Sequence, residues 1–245
     1  MKHLCLAILT SVLCQVAAAD VVVAWDPHGF SAKTGGWPTT FAATSVGNNL
    51  ISTPELSLGS GVGLAGLNNG WGGTGFNKTS LASAYTSNQY IGFSLGAAEG
   101  YQLSLSSVDM QVRLTADVMN WDSIAYAWMY STDGGDTFTM TGAAQRIGPS
   151  YTGPYNSDGV MMPGLDLSEI SGLQSLKTQV EFRLYAWDTG TGHGSFAFVI
   201  GRGAGNDLTF NGSVSAVPEP SAYAFFFLLA VLPFAIIRRR RRITG

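Results

Sequence analysis

Val180-Glu181-Phe182-Arg183-Leu184-Tyr185-Ala186-Trp187 alternates core-type and surface-type side chains with a period of two. A strand sends successive side chains to opposite faces, so Val180, Phe182, Leu184 and Ala186 share one face and Glu181, Arg183, Tyr185 and Trp187 the other. The first set belongs in a core. The second mixes charge with two large rings and reads as a solvent-facing surface. That makes Tyr185 and Trp187 the candidates for stacking against sugar rings.

The same pattern extends outward in both directions. Tyr101-Gln102-Leu103-Ser104-Leu105 and Met110-Gln111-Val112-Arg113-Leu114 alternate in the same way. Residues 21–25, 90–95, 125–130, 196–200 and 208–214 are further runs of β-branched, aromatic and aliphatic residues, separated by Gly, Asn, Asp and Ser. Half-apolar runs divided by turn formers are the signature of an antiparallel sandwich. No segment sustains a 3.6-residue period with caps, and residues 166–176 hold at most one helical turn. The spacing therefore predicts an all-β chain: a single antiparallel β-sandwich, jelly-roll-like, over residues 20–215. Residues 59–75 contain eight glycines and predict a long loop.

Composition fits that fold and excludes some functions. Charged residues make up 12% of the 245, and hydrophobic residues 46%. Residues 20–217 carry seven basic and fifteen acidic side chains, a net −8. Phosphate backbones demand a basic surface, so no nucleic-acid partner is expected. Both cysteines, Cys5 and Cys14, lie in the N-terminal apolar segment. The body thus has no disulfide or thiolate ligand to draw on.

Few constellations suggest chemistry. Ser131-Thr132-Asp133-Gly134-Gly135-Asp136-Thr137-Phe138 matches the Asp-box pattern. Its expected role is a hairpin turn in which Asp133 accepts backbone hydrogen bonds, the glycines take left-handed angles and Phe138 tucks beneath. A sialidase would need several copies and an arginine cluster; here there is one copy, and the arginines are scattered. Glycoside hydrolysis needs two carboxylates facing a cleft. Glu55, Glu99, Glu169 and Glu181 are the glutamates of the body, and their spacing pairs none of them on one strand. His28 and His193 stand far apart, and the loop acids Asp133, Asp136, Asp158 and Asp188 form no spaced calcium loop. No catalytic residue, cofactor or metal is expected. The six tryptophans, Trp25, Trp37, Trp71, Trp121, Trp128 and Trp187, divide between core and surface.

The two ends carry address signals. Met1-Lys2-His3 precedes an apolar run over residues 4–16 and then Ala17-Ala18-Ala19-Asp20. A positive start, a short hydrophobic stretch and small residues at Ala17 and Ala19 predict a signal peptide over 1–19, cleaved before Asp20. Lipidation at Cys14 is disfavoured by the bulky Leu13 before it. At the other end, Val217-Pro218-Glu219-Pro220-Ser221 leads into an apolar run over 222–237 and then Arg238-Arg239-Arg240-Arg241-Arg242. The run suits a transmembrane helix, and the arginines suit a cytoplasmic anchor. The pattern can be read as a plain tail anchor or as a sorting signal.

This tripartite tail, residues 216–245, resembles the PEP-CTERM sorting segment. Pro218, Glu219 and Pro220 match its signature, and the apolar run and arginine cluster match its remaining parts. The resemblance implies a bacterial exported protein that is held at the inner membrane by its C-terminal helix. An exosortase-type membrane protease would process it and leave it at the cell surface or outside the cell. The stretches Tyr101-Gln102-Leu103-Ser104-Leu105-Ser106-Ser107-Val108, 180–186 and 206–214 also resemble PEP-CTERM proteins with a lectin-like jelly-roll body. The sequence-level expectation is a non-catalytic cell-surface or extracellular-matrix protein. Alternatives are a lectin-like module binding exopolysaccharide and, third, a secreted glycoside hydrolase.

Overall fold

The computed structural model describes residues 20–31, 36–114, 121–148, 159–190, 195–201 and 203–217. The predicted signal peptide, the motif residues 218–221, the apolar run 222–237 and the arginines 238–242 lie outside these. No helix among the described residues is long and apolar enough to cross a membrane.

The strands, in chain order, are β1 (Asp20–Trp25), β2 (Phe41–Ala42), β3 (Ser45–Val46), β4 (Glu55–Leu58), β5 (Gly63–Leu67), β6 (Gly70–Phe76), β7 (Tyr90–Leu95), β8 (Tyr101–Leu114), β9 (Ile124–Ser131), β10 (Thr139–Met140), β11 (Gln145–Arg146), β12 (Val160–Met161), β13 (Leu165–Asp166), β14 (Val180–Asp188), β15 (Phe196–Gly201) and β16 (Leu208–Ala216). One helix, α1 (Leu81–Thr86), stands between β6 and β7. Among the described residues the strands form two antiparallel sheets. A nine-stranded sheet runs β3-β1-β16-β8-β15-β6-β5, with β12 and β13 also on β8. A seven-stranded sheet runs β10-β9-β14-β7-β4-β2, with β11 also on β9. The fold is an all-β sandwich, as the alternation predicts.

The sheets meet through an aromatic layer. Phe210 of β16 projects from the nine-stranded sheet among Phe93 of β7, Trp128 of β9 and Phe182 of β14, with ring centroids 4.9, 5.4 and 4.9 Å away. Phe93 and Phe182, cross-strand partners on β7 and β14, stack at 5.4 Å. Trp25 of β1 meets Phe93 edge-on at 4.8 Å. All five are buried, and one apolar cluster includes residues of both sheets. Trp25 and Trp71 lose their indole N–H groups to the interior, yet each donates to a carbonyl: Phe41 O at 3.0 Å and Pro38 O at 2.8 Å. The cost of burying an indole is thereby met.

Two local expectations are corrected and a third is located. The glycine-rich stretch 59–75 is not a long loop: it holds β5 and β6, paired from Gly63↔Thr74 to Leu67↔Gly70. Its glycines serve close packing. A Cβ on Gly72 would lie 2.2 Å from the Phe198 carbonyl of β15, and one on Gly66 would lie 2.0 Å from the Trp37 ring. Residues 101–105 and 110–114 are not separate strands but the ends of the 14-residue β8. In the stretch 166–176 the only turn of helix among the described residues is 3-10, at Ser171–Leu173, and Asp166 ends β13.

Replacing Phe210 by alanine removes the ring common to both sheets and leaves a cavity among three aromatic residues. Such a substitution costs about 3–5 kcal/mol. The expected outcome in guanidinium unfolding is a midpoint well below wild type, with the slope unchanged.

Candidate functional site

The outer face of the seven-stranded sheet has a covered half and an open half. Register sets its rows. Tyr185 of β14 lies between Tyr90 of β7 and Ala127 of β9; Arg183 lies between Gly92 and Met129, with Ser57 of β4 beyond Gly92; Glu181 lies between Ser94 and Ser131.

In the covered half, Tyr185, Trp187, Ala125, Ala127 and Ala84 form a second apolar cluster. Leu81 and Tyr85 of α1 and Met140 of β10 close over it. The helix is six residues long, and its start is fixed by Ser80. The Ser83 N–H donates to Ser80 Oγ at 3.2 Å, and the Ser80 N–H donates to Ser83 Oγ at 3.3 Å. This reciprocal cap stabilises an element too short to persist alone.

The cover corrects the reading of Tyr185 and Trp187 as surface aromatics. Tyr185 is 0% exposed and Trp187 is 6% exposed, so neither offers a ring to a sugar. Burial also pushes the Tyr185 hydroxyl up to about 12. Of the remaining tryptophans, Trp25, Trp71 and Trp128 are buried, and Trp37 donates to Leu67 O at 3.1 Å from a half-buried position. The side chain of Trp121 lies outside the described residues.

Arg183 stands at the border between the halves. Its guanidinium lies 4.3 Å from the ring centroid of Tyr90 and 4.0 Å from that of Phe138, a double cation–π contact. Its Nε donates to Glu181 Oε1 at 2.7 Å. Phe138 belongs to the Asp-box hairpin between β9 and β10, and that turn is built as its motif predicts. Asp133 Oδ1 accepts from the Thr137 N–H at 3.1 Å, Asp133 Oδ2 accepts from Thr137 Oγ1 at 2.5 Å, and Ser131 Oγ accepts from the Gly135 N–H at 2.9 Å. Gly134 and Gly135 take φ of 82° and 95°. The hydroxyls of Ser131 and Thr137 and the Thr137 N–H hold the Asp133 carboxyl well below the usual carboxylate range. The turn thus uses Asp133 internally and sets Phe138 on Arg183.

The open half is a groove of about 330 Å³. Its walls come from the segment entering β4, from β7 and from the start of β14, and they include Glu55, Ser57, Tyr90, Ser94, Gln179 and Glu181. Gly92 lies in its floor, where a side chain would press on Phe182 O and on the Tyr90 ring. Glu55 and Gln179 are exposed; Ser57, Tyr90, Ser94 and Glu181 are half-buried. Two carboxylates, hydroxyls and an amide converge in a space suited to a small polar ligand. Sequence spacing missed this group because its members come from three separate segments; only Glu55 and Glu181 stood out, and only as scattered acids.

Elsewhere, the signal-cleavage residue Asp20 opens β1, and Val217 is described as the residue after β16. The other signal-cleavage and sorting residues, with His193 and Asp158, lie outside the described residues. Among the described residues no group of three or more His, Cys, Asp or Glu side chains could hold a metal ion. Asp188 is buried at the end of β14, where its Oδ1 accepts from the Gly190 N–H at 2.8 Å. No family model matches the chain, and no curated protein matches it by sequence.

The depressed Asp133 carboxyl makes an acid-stability prediction. A carboxylate held below its unfolded value of about 4 contributes in full above that value, and the contribution fades as pH falls through the lower folded value. The expected outcome is that Asp133→Asn melts below wild type at neutral pH and that the gap narrows on acidification below about pH 4. Thermal melts of both proteins across that range check it.

Proposed function

We propose that the chain is an exported, non-catalytic cell-surface or extracellular-matrix protein of a bacterium, sorted through its C-terminal segment by an exosortase-type membrane protease. One observation carries this reading: the sandwich ends where the C-terminal address signal starts. The last strand ends at Ala216, and the Val217 N–H donates to Gly100 O at 2.8 Å. Val217 is the first residue of the sorting motif, and the next, Pro218, has no N–H to give. Antiparallel pairing of Asp20 with Gly212 and of Ala216 with Tyr101 brings both termini of the body to one end of the sandwich.

In this reading residues 222–237 form a transmembrane helix, and Arg238 to Arg242 hold its cytoplasmic side. The body is jelly-roll-like, and the chain path supports this: β6 and β8 lie in one sheet while β7 and β9 lie in the other, so the chain crosses at each step. The groove supports a body that binds rather than cleaves. Glycoside hydrolysis needs two carboxylates free to act on one bond, whereas Glu181 is already engaged by Arg183 Nε at 2.7 Å.

Intact masses of the protein from medium and envelope test the reading. The wild-type body is expected to begin at Asp20 and to lack Arg238 to Arg242. The variant with Pro218→Ala, Glu219→Ala and Pro220→Ala is expected to keep its tail in the membrane fraction. A wild type that still carries the arginines would reduce the tail to a plain anchor.

A further inference from the structure

We infer that the groove on the outer face of the seven-stranded sheet is a binding site for a neutral saccharide. The inference concerns the body and does not rest on how the tail is processed.

Three observations carry it. First, the sheet face is apolar and covered up to the Tyr185 row, whereas beyond it the side formed by β4, β7 and β14, from Ser57 and Gly92 to Ser94 and Glu181, is open and polar. The open part presents hydroxyls, an amide and carboxylates to water, the partners that a polyhydroxylated ring uses. Second, the site is partly preorganised. Arg183 is clamped between Tyr90 and Phe138 and fixes one oxygen of Glu181 at 2.7 Å. The other oxygen lies beside the Asp-box turn, 2.9 Å from where a Cβ on Gly135 would stand. The carboxylate is therefore positioned by Arg183, which is itself stacked on the hairpin's Phe138, and less side-chain entropy is lost when a ligand binds. Third, the volume of about 330 Å³ is at the small end for ligand sites and accommodates a mono- or disaccharide.

Charge selects within the saccharides. Among the described residues the lining has two carboxylates and no lysine, arginine or histidine, and the neighbouring Arg183 is already paired with Glu181. The body around it is net negative. Uronic-acid chains would be repelled, whereas vicinal hydroxyls of a neutral sugar can donate in pairs to a carboxylate.

The test is calorimetric titration of the full chain, in a detergent without a sugar headgroup. The probes are neutral gluco-, galacto-, manno- and xylo-oligosaccharides and a uronic-acid oligomer at millimolar concentration. Saturable binding of a neutral sugar is expected, with none of the uronate. Glu55→Gln and Gln179→Ala change exposed side chains, so their melting curves should match wild type while affinity drops about tenfold. The assignment is overturned by flat titrations across the neutral panel, by preference for the uronate, by undiminished binding in both variants, or by release of new reducing ends, which would mean hydrolysis. Hydrolysis would also end the non-catalytic reading of the body, but none of these outcomes alters the masses that test sorting, so the ligand and sorting readings fail separately.

Discussion

The sandwich depends on the insertion of Phe210 among Phe93, Trp128 and Phe182. Residues 20–217 contain no cysteine, so no disulfide joins the sheets. Contact between the two inner faces must do so, and at its centre one ring from the nine-stranded sheet touches three from the other. These contacts also fix the phase of β7, β9 and β14. With Phe93, Trp128 and Phe182 turned inward, period-two geometry turns Gly92, Ser94, Ala127, Met129, Glu181 and Arg183 outward. A slip of one residue on β14 would bury Glu181 and Arg183 and expel Phe182. The outer face, with its groove, therefore follows from the core.

On that outer face the chain makes a second decision. Apolar residues at one end, Tyr185, Trp187, Ala125 and Ala127, need a cover, and α1 supplies it. The Asp-box hairpin brings Phe138 from the side, where it meets Tyr85 of the helix edge-on at 6.2 Å as well as Arg183. Arg183 is the joint of this arrangement: its flat faces serve the aromatic side and its N–H edge serves the carboxylate side. A lysine there would keep the charge but could not stack between two rings while donating to Glu181.

How far the fold could be read from the sequence depended on distance along the chain. β7, β9 and β14 were legible because each carries its own alternation or aromatic run, as was the Asp-box turn, whose hydrogen bonds close within five residues. β5 and β6 were not, because glycine is depleted in strands and its use here answers to Phe198 and Trp37, far away in sequence. The helix α1 was missed because six residues cannot display a period. The reading of Tyr185 and Trp187 failed for a different reason. Alternation correctly places them opposite Phe182, but it says nothing about whether a segment near residue 84 folds over them. The groove was illegible in the same way: Glu55, Ser94 and Gln179 acquire meaning only when β4, β7 and β14 lie side by side.

Topology also links the groove to the tail. Ser94 lies near the end of β7, and residues 96–100 carry the chain to the start of β8, where Gly100 O holds Val217. The groove thus lies toward the end of the sandwich from which the chain leaves. Residues 218–221 span at most about 14 Å when fully extended. If residues 222–237 are membrane-embedded, that short tether keeps this end against the bilayer, where a long glycan chain reaches the groove with difficulty. Under the proposed sorting, cleavage between body and helix would lift that restriction and free the groove's end of the sandwich.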